Sequence, residues 1–129
     1  MPKYFAITIS ATNVTVVAAT ETLILSSDPY SPSINNPRLV IVGHVLLANA
    51  TGVTVVRTRI RRGTTTSDAL VGELSNSPNL AAGTALSRWV NVIDEPGARA
   101  NIRYSVTIEQ VDSIADGTAE SAMLQVYEL

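Results

Sequence analysis

The 129-residue chain contains no cysteine. That excludes disulfides, thiolate metal sites and cysteine nucleophiles. It has a single histidine, His44. A Ser-His-Asp site would have to use it, yet its flanks read as strand and no G-x-S-x-G elbow occurs. A structural or interfacial histidine is therefore expected. One histidine without closely spaced acidic residues supplies no metal site. No glycine-rich phosphate loop is present. Asp94 and Glu95 fall in the turn sequence DEPG, where adjacent carboxylates point apart and do not face each other as a glycosidase pair. These absences argue against an enzyme and lead us to expect no cofactor. Aromatic residues make up only 5% of the chain, so stacking platforms for single-stranded nucleic acid are scarce.

No apolar run approaches the ~20 residues that span a bilayer. The N-terminus MPKYFAITIS lacks the order of a signal peptide. The two N-x-T matches, at Asn13 and Asn49, are then chance, and folding in a host cytoplasm is expected. Nine basic against eleven acidic residues leave a net charge of -2. Neither nucleic acid nor an anionic membrane is an expected partner.

What the chain does have is Val, Ile and Thr in alternation with polar residues, the period of a strand on a pleated sheet. Strands are expected at Tyr4–Ser10, Val14–Thr20, Thr22–Ser27, Arg38–Leu47, Val53–Arg61, Ala69–Leu74, Thr84–Ile93, Asn101–Val111 and Glu120–Tyr127. Glycines mark the turns between them. Gly43 and Gly72 instead interrupt strands, which suggests bulges or close backbone approaches. Short strands at roughly ten-residue spacing predict one all-β domain over 1–129, an antiparallel two-sheet sandwich of jelly-roll type.

Faces follow from the alternation. In NIRYSVTIEQ, Ile102, Tyr104, Val106 and Ile108 share the core face. In TALSRWVNVI, Leu86, Val90 and Val92 share a face with Arg88, while Trp89 and Ile93 lie opposite, so that strand is expected to be covered twice. The C-terminal strand repeats the pattern, with Met123, Tyr127 and Leu129 on one face and Leu124 and Val126 on the other. A small sandwich does not easily cover both, which predicts a homotrimer.

The densest charge is VVRTRIRRG, where Arg57, Arg59, Arg61 and Arg62 are four of the nine basic residues. Arg57, Arg59 and Arg61 share one strand face. One reading is a solvated face paired with acids of neighbouring strands, such as Glu109. The other is a strip, with Arg62 beside it, that engages carboxylates of another subunit. On the second reading the strip governs partner choice more than stability.

The short cysteine-free β-chain, the stretch RIRRGTTTSDALVGE and the final strand AESAMLQVYEL together resemble the small jelly-roll decoration, or cement, proteins of tailed-phage capsids. The resemblance implies a non-catalytic homotrimer on the outer capsid surface of a virion, bridging subunits of the major capsid protein. It also implies an N-terminal arm of about residues 1–5, with Lys3, Tyr4 and Phe5 in contact with a neighbour. The alternative is a carbohydrate- or receptor-binding jelly roll of a spike or tail, in which Trp89 or Tyr30 stacks on a sugar ring.

Overall fold

A computed structural model describes residues 7–32, 36–48, 53, 55–76, 86–97 and 100–129. The expected arm, with Lys3, Tyr4 and Phe5, lies outside the described residues. Eight strands follow in order: β1 (Ile7–Val16), β2 (Thr22–Ser26), β3 (Leu39–Ala48), β4 (Val55–Arg62), β5 (Ala69–Asn76), β6 (Leu86–Asp94), β7 (Tyr104–Val111) and β8 (Gly117–Glu128). There is no helix among the described residues.

The strands form two four-stranded antiparallel sheets, ordered β1-β8-β3-β6 and β2-β7-β4-β5. Strand β1 pairs with β8, β2 with β7, β3 with β6 and β4 with β5. That nesting is a long antiparallel ribbon rolled upon itself, the jelly roll. The alternating sequence dictates the packing between the sheets. Odd-numbered residues of β3 (Leu39, Ile41, Val45 and Leu47) and even-numbered residues of β8 (Leu124 and Val126) point inward and are buried. They meet Val56 and Ile60 of β4 and Tyr104, Val106 and Ile108 of β7. Each such aliphatic side chain contributes about 1.5–3 kcal/mol by leaving water.

Seven of the expected strands recur within a few residues of their predicted ends. The N-terminal pair is corrected. The described part of Tyr4–Ser10 and the first half of Val14–Thr20 are one strand, because Asn13 takes a positive φ of 52° without breaking the pairing, and that strand ends at Val16, before a turn at residues 17–20. The ladder passes from Thr12–Ser121 to Val14–Ala119, so Asn13 forms an irregularity inside β1 and not a turn before a strand.

Both interrupting glycines have the roles expected of them. Gly72 borders a register shift between Ile60 and Arg61, and a Cβ there would stand 1.7 Å from Cγ1 of Val92. Edge strands β5 and β6 therefore approach closely. At Gly43 a Cβ would lie 2.9 Å from Cδ1 of Ile60 and 3.2 and 3.3 Å from methyls of Val90 and Val106. Gly43→Val is expected to cost about 1–3 kcal/mol by overpacking, read as a lower urea midpoint. An unchanged midpoint would mean that the sheets have slack at this level.

Candidate functional site: two unlike outer faces

The two sheets turn very different faces outward. On the β2-β7-β4-β5 sheet, Arg57, Arg59 and Arg61 project from β4, as the alternation requires. Register sets Arg57 opposite Glu109 and Arg59 opposite Glu73. Glu21, just before β2, reaches over from the far side of β7.

The result is a dense ionic network. Glu21 accepts hydrogen bonds from Arg59 Nη1 at 2.5 Å, from Arg61 Nε and Nη2 at 2.6 and 2.7 Å, and from Thr107 Oγ1 at 2.8 Å. Arg59 also donates to Glu73 at 2.8 Å and to Glu109 at 3.0 Å. The side chains of Arg59, Arg61 and Glu21 are only 14%, 13% and 14% exposed. Burial pushes the Glu21 carboxyl up, but bonds from Arg61, Thr107 and Arg59 outweigh it and hold the group at about 2.

Of the two readings of the strip, this geometry matches the one that pairs it with acids of neighbouring strands, Glu109 among them. The carboxylates belong to the same sheet, and Ser105 and Thr107 lie buried beneath the guanidinium groups. Arg57, with one 3.3 Å contact to Glu109, is the loosest member.

Arg62 does not belong to the strip at all. Its even position turns it inward, where Nε donates to Asp94 Oδ2 at 2.8 Å and Nη2 donates to Oδ1. Tyr104 donates its hydroxyl to the same carboxylate at 2.6 Å. Burial raises the Asp94 carboxyl, and Arg62 with Tyr104 outweighs it, leaving the group below its ordinary range. Asp94 is thus the inward last residue of β6 and not a free turn carboxylate. At the same end Tyr30, the other candidate for sugar stacking, is buried and donates to Glu128 at 2.6 Å.

The outer face of the β1-β8-β3-β6 sheet carries no charge across β3, β6 and β8 and mixes apolar side chains with the neutral polar Ser87, Asn91, Ser121 and Gln125. Register places Trp89 and Met123 on either side of His44, and Ile93 and Tyr127 on either side of Val40. Val42 and Leu46 continue the central strand, both partly exposed. Trp89 is 52% exposed and Ile93 55%. The rings of His44 and Trp89 stack with centroids 4.2 Å apart, and His44 Nε2 bonds Ser87 Oγ at 2.7 Å. Leu129 sits exposed just past β8, its N–H bonded to the Arg38 carbonyl.

The structure therefore brings Trp89, Met123 and Tyr127 onto one surface, with Leu129 at its rim. Trp89 lies outside the core, because Val90 and Arg88 take the inward positions. The half-exposed Trp89 and Ile93 make this face a candidate interaction surface.

Sequence reasoning missed Glu21 and Asp94 as anchors. Neither carries a local signal, since each finds its arginine only through the order of strands. Among the described residues no cluster of three potential ligands could hold a metal.

Compared as a sequence, the chain matches no protein-family profile and no curated protein. Compared as a fold, it is similar to several solved structures. It superposes on a chain in the structure of the infectious bursal disease virus Gx strain with a TM-score of 0.58, at 13% identity over 98% of this chain and 32% of that one. A mutant VP2 protein of the same virus, solved as derived T=1 particles, gives 0.56 at 12% identity over 98% and 36%. The Eiger TNF protein of S. frugiperda also gives 0.56, at 11% identity over 100% and 94%. The chain thus spans about a third of the length of the two viral chains and nearly all of the TNF chain. At these identities the shared property is the fold, a jelly-roll sandwich found in both viral and TNF proteins.

Proposed function

We propose that the chain is a non-enzymatic structural protein of a virion, a decoration or cement protein that trimerises on the outer capsid surface and bridges subunits of the major capsid protein. The observation that carries this reading is the uncharged outer face of the β1-β8-β3-β6 sheet. Its outward positions on β3, β6 and β8 between Ser121 and Ile93 include no Asp, Glu, Lys or Arg. Trp89 and Ile93 rise from it half-exposed. A second copy covering this face would remove the apolar surface from water. The ionic face of the other sheet satisfies its own charges and would remain solvated. The likeness to the VP2 fold supports a viral setting.

Light scattering at micromolar concentration is expected to give a trimer. Trp89→Glu places a carboxylate in the middle of the face and should yield monomers with an unchanged circular dichroism spectrum. A wild-type chain that stays monomeric overturns the self-association. A monomer that binds glycans through Trp89 would favour the carbohydrate-binding reading, for which that exposed ring is the specific support. An image of the native assembly with the protein away from the shell would overturn the capsid role.

A further inference from the structure

Arg88 of β6 points into the sandwich and is 8% exposed. Its Nε is buried and has no hydrogen-bond partner. The ion pairs among the described residues belong to Arg38, Arg57, Arg59, Arg61 and Arg62, and none reaches Arg88. The chain has eleven Asp and Glu residues, and all eleven lie among the described residues. No side-chain carboxylate of this molecule pairs with it. A buried cation without a counter-charge is among the costliest features a fold can carry. Burial alone accordingly depresses the basicity of this guanidinium.

Its neighbourhood follows from the register. Gly43, Ile60, Val90 and Val106 meet across the two sheets. Two residues further along these strands, toward the end where Gln110 approaches Gly117, the next layer holds Val45, Arg88, Thr58 and Ile108. Thr58 Oγ1 is also buried without a partner. The layer reaches the surface where edge strands β5 and β6 adjoin, and Leu74, paired with Thr58, is 36% exposed there. An orphan donor and an orphan hydroxyl thus share one layer beside the partly exposed Leu74.

We propose that the β5–β6 edge is an oxyanion-receiving site, with Arg88 as its cationic anchor and an anion supplied from outside the chain. The planar guanidinium fork suits a carboxylate or a phosphate equally. Two sources offer that chemistry, a dissolved oxyanion and an acidic side chain of a second copy. The proposal is independent of the uncharged outer face, which lies on the opposite side of the same strand.

The test is a titration of the wild-type protein and Arg88→Met with inorganic phosphate, chloride being exchanged to hold ionic strength constant. The Arg88 Nε–H resonance should move in saturable fashion in the wild type. Its thermal midpoint should rise by several degrees more than that of the variant, beyond the salting effect phosphate has on both. If phosphate has no such effect, a midpoint that climbs with protein concentration in the wild type but not in Arg88→Met identifies the carboxylate of a second copy. Both proteins keep the Trp89 face, so association through it is common to the two. The proposal is overturned if the resonance does not respond to phosphate and neither phosphate nor protein concentration separates the two proteins. Should Arg88→Met fail to fold, the wild-type resonance, followed against phosphate and against protein concentration, decides alone.

Discussion

Glu21→Ala is expected to lower stability by about 3 kcal/mol, or roughly 10 °C in the thermal midpoint for a chain of this size. Glu21 takes four hydrogen bonds from three side chains. Without it Arg61 keeps only the Asp68 carbonyl at 2.8 Å, while Arg59 retains Glu73 and Glu109. Three arginines would then face two carboxylates on a largely dehydrated surface. Arg57→Gln provides the contrast. It removes one long contact from a more exposed group and should cost under about 1 kcal/mol.

The same carboxylate sets an acid response. Its folded value of about 2 lies below the ordinary 4.5, so between these values the unfolded chain binds more protons than the folded one. Its contribution is complete above pH 4.5 and lost as pH falls toward 2. A shift of this size corresponds to about 3 kcal/mol. Midpoints measured from pH 7 down to pH 2 should fall less steeply below 4.5 for Glu21→Gln than for the wild type. Parallel curves in that window would remove Glu21 from the account.

Asp94→Ala is expected to cost more still, about 3–5 kcal/mol, because it strands a charged partner in the interior. Asp94 is the acceptor for both Arg62 and Tyr104. Its removal leaves a guanidinium and a phenol without their partner inside the sandwich. Replacing the pair together, Arg62→Met with Asp94→Leu, leaves no unpaired charge and should recover most of the loss. Guanidinium unfolding followed by circular dichroism is the appropriate measurement, since Trp89 is half-exposed and a weak reporter of unfolding. A double variant as unstable as Asp94→Ala alone would show that the cost comes from packing and not from stranded charge.

Strand positions and the parity of each side chain were legible in the sequence. The alternation in NIRYSVTIEQ places Tyr104, Val106 and Ile108 inward, and all three are fully buried. The two strand glycines announced a close approach and a bulge, and both are present. Arg62 was not legible in this way, because the expected strand stopped at Arg61, and only the extension of β4 to Arg62 turns that residue inward. Parity is local, because successive Cβ atoms of a strand point to opposite sides whatever the rest of the chain does.

Choice of neighbour is not local. Arg59 meets Glu21 only because the order β2-β7-β4 carries a carboxylate 38 residues away across an intervening strand. A sequence pattern around Arg59 holds no trace of that carboxylate, so the network could not be told from a free strip. Trp89 illustrates the same division. Its strand is apolar on both faces, and alternation leaves open which one enters the core. Closure of the second sheet decides it, with Val90 taking the inward place beside Gly43 and Ile60 and Trp89 left outside. The residues alone determined which side chains travel together. Only the closed sandwich determined which group was covered, because burial depends on the sheet that arrives from the other half of the rolled ribbon.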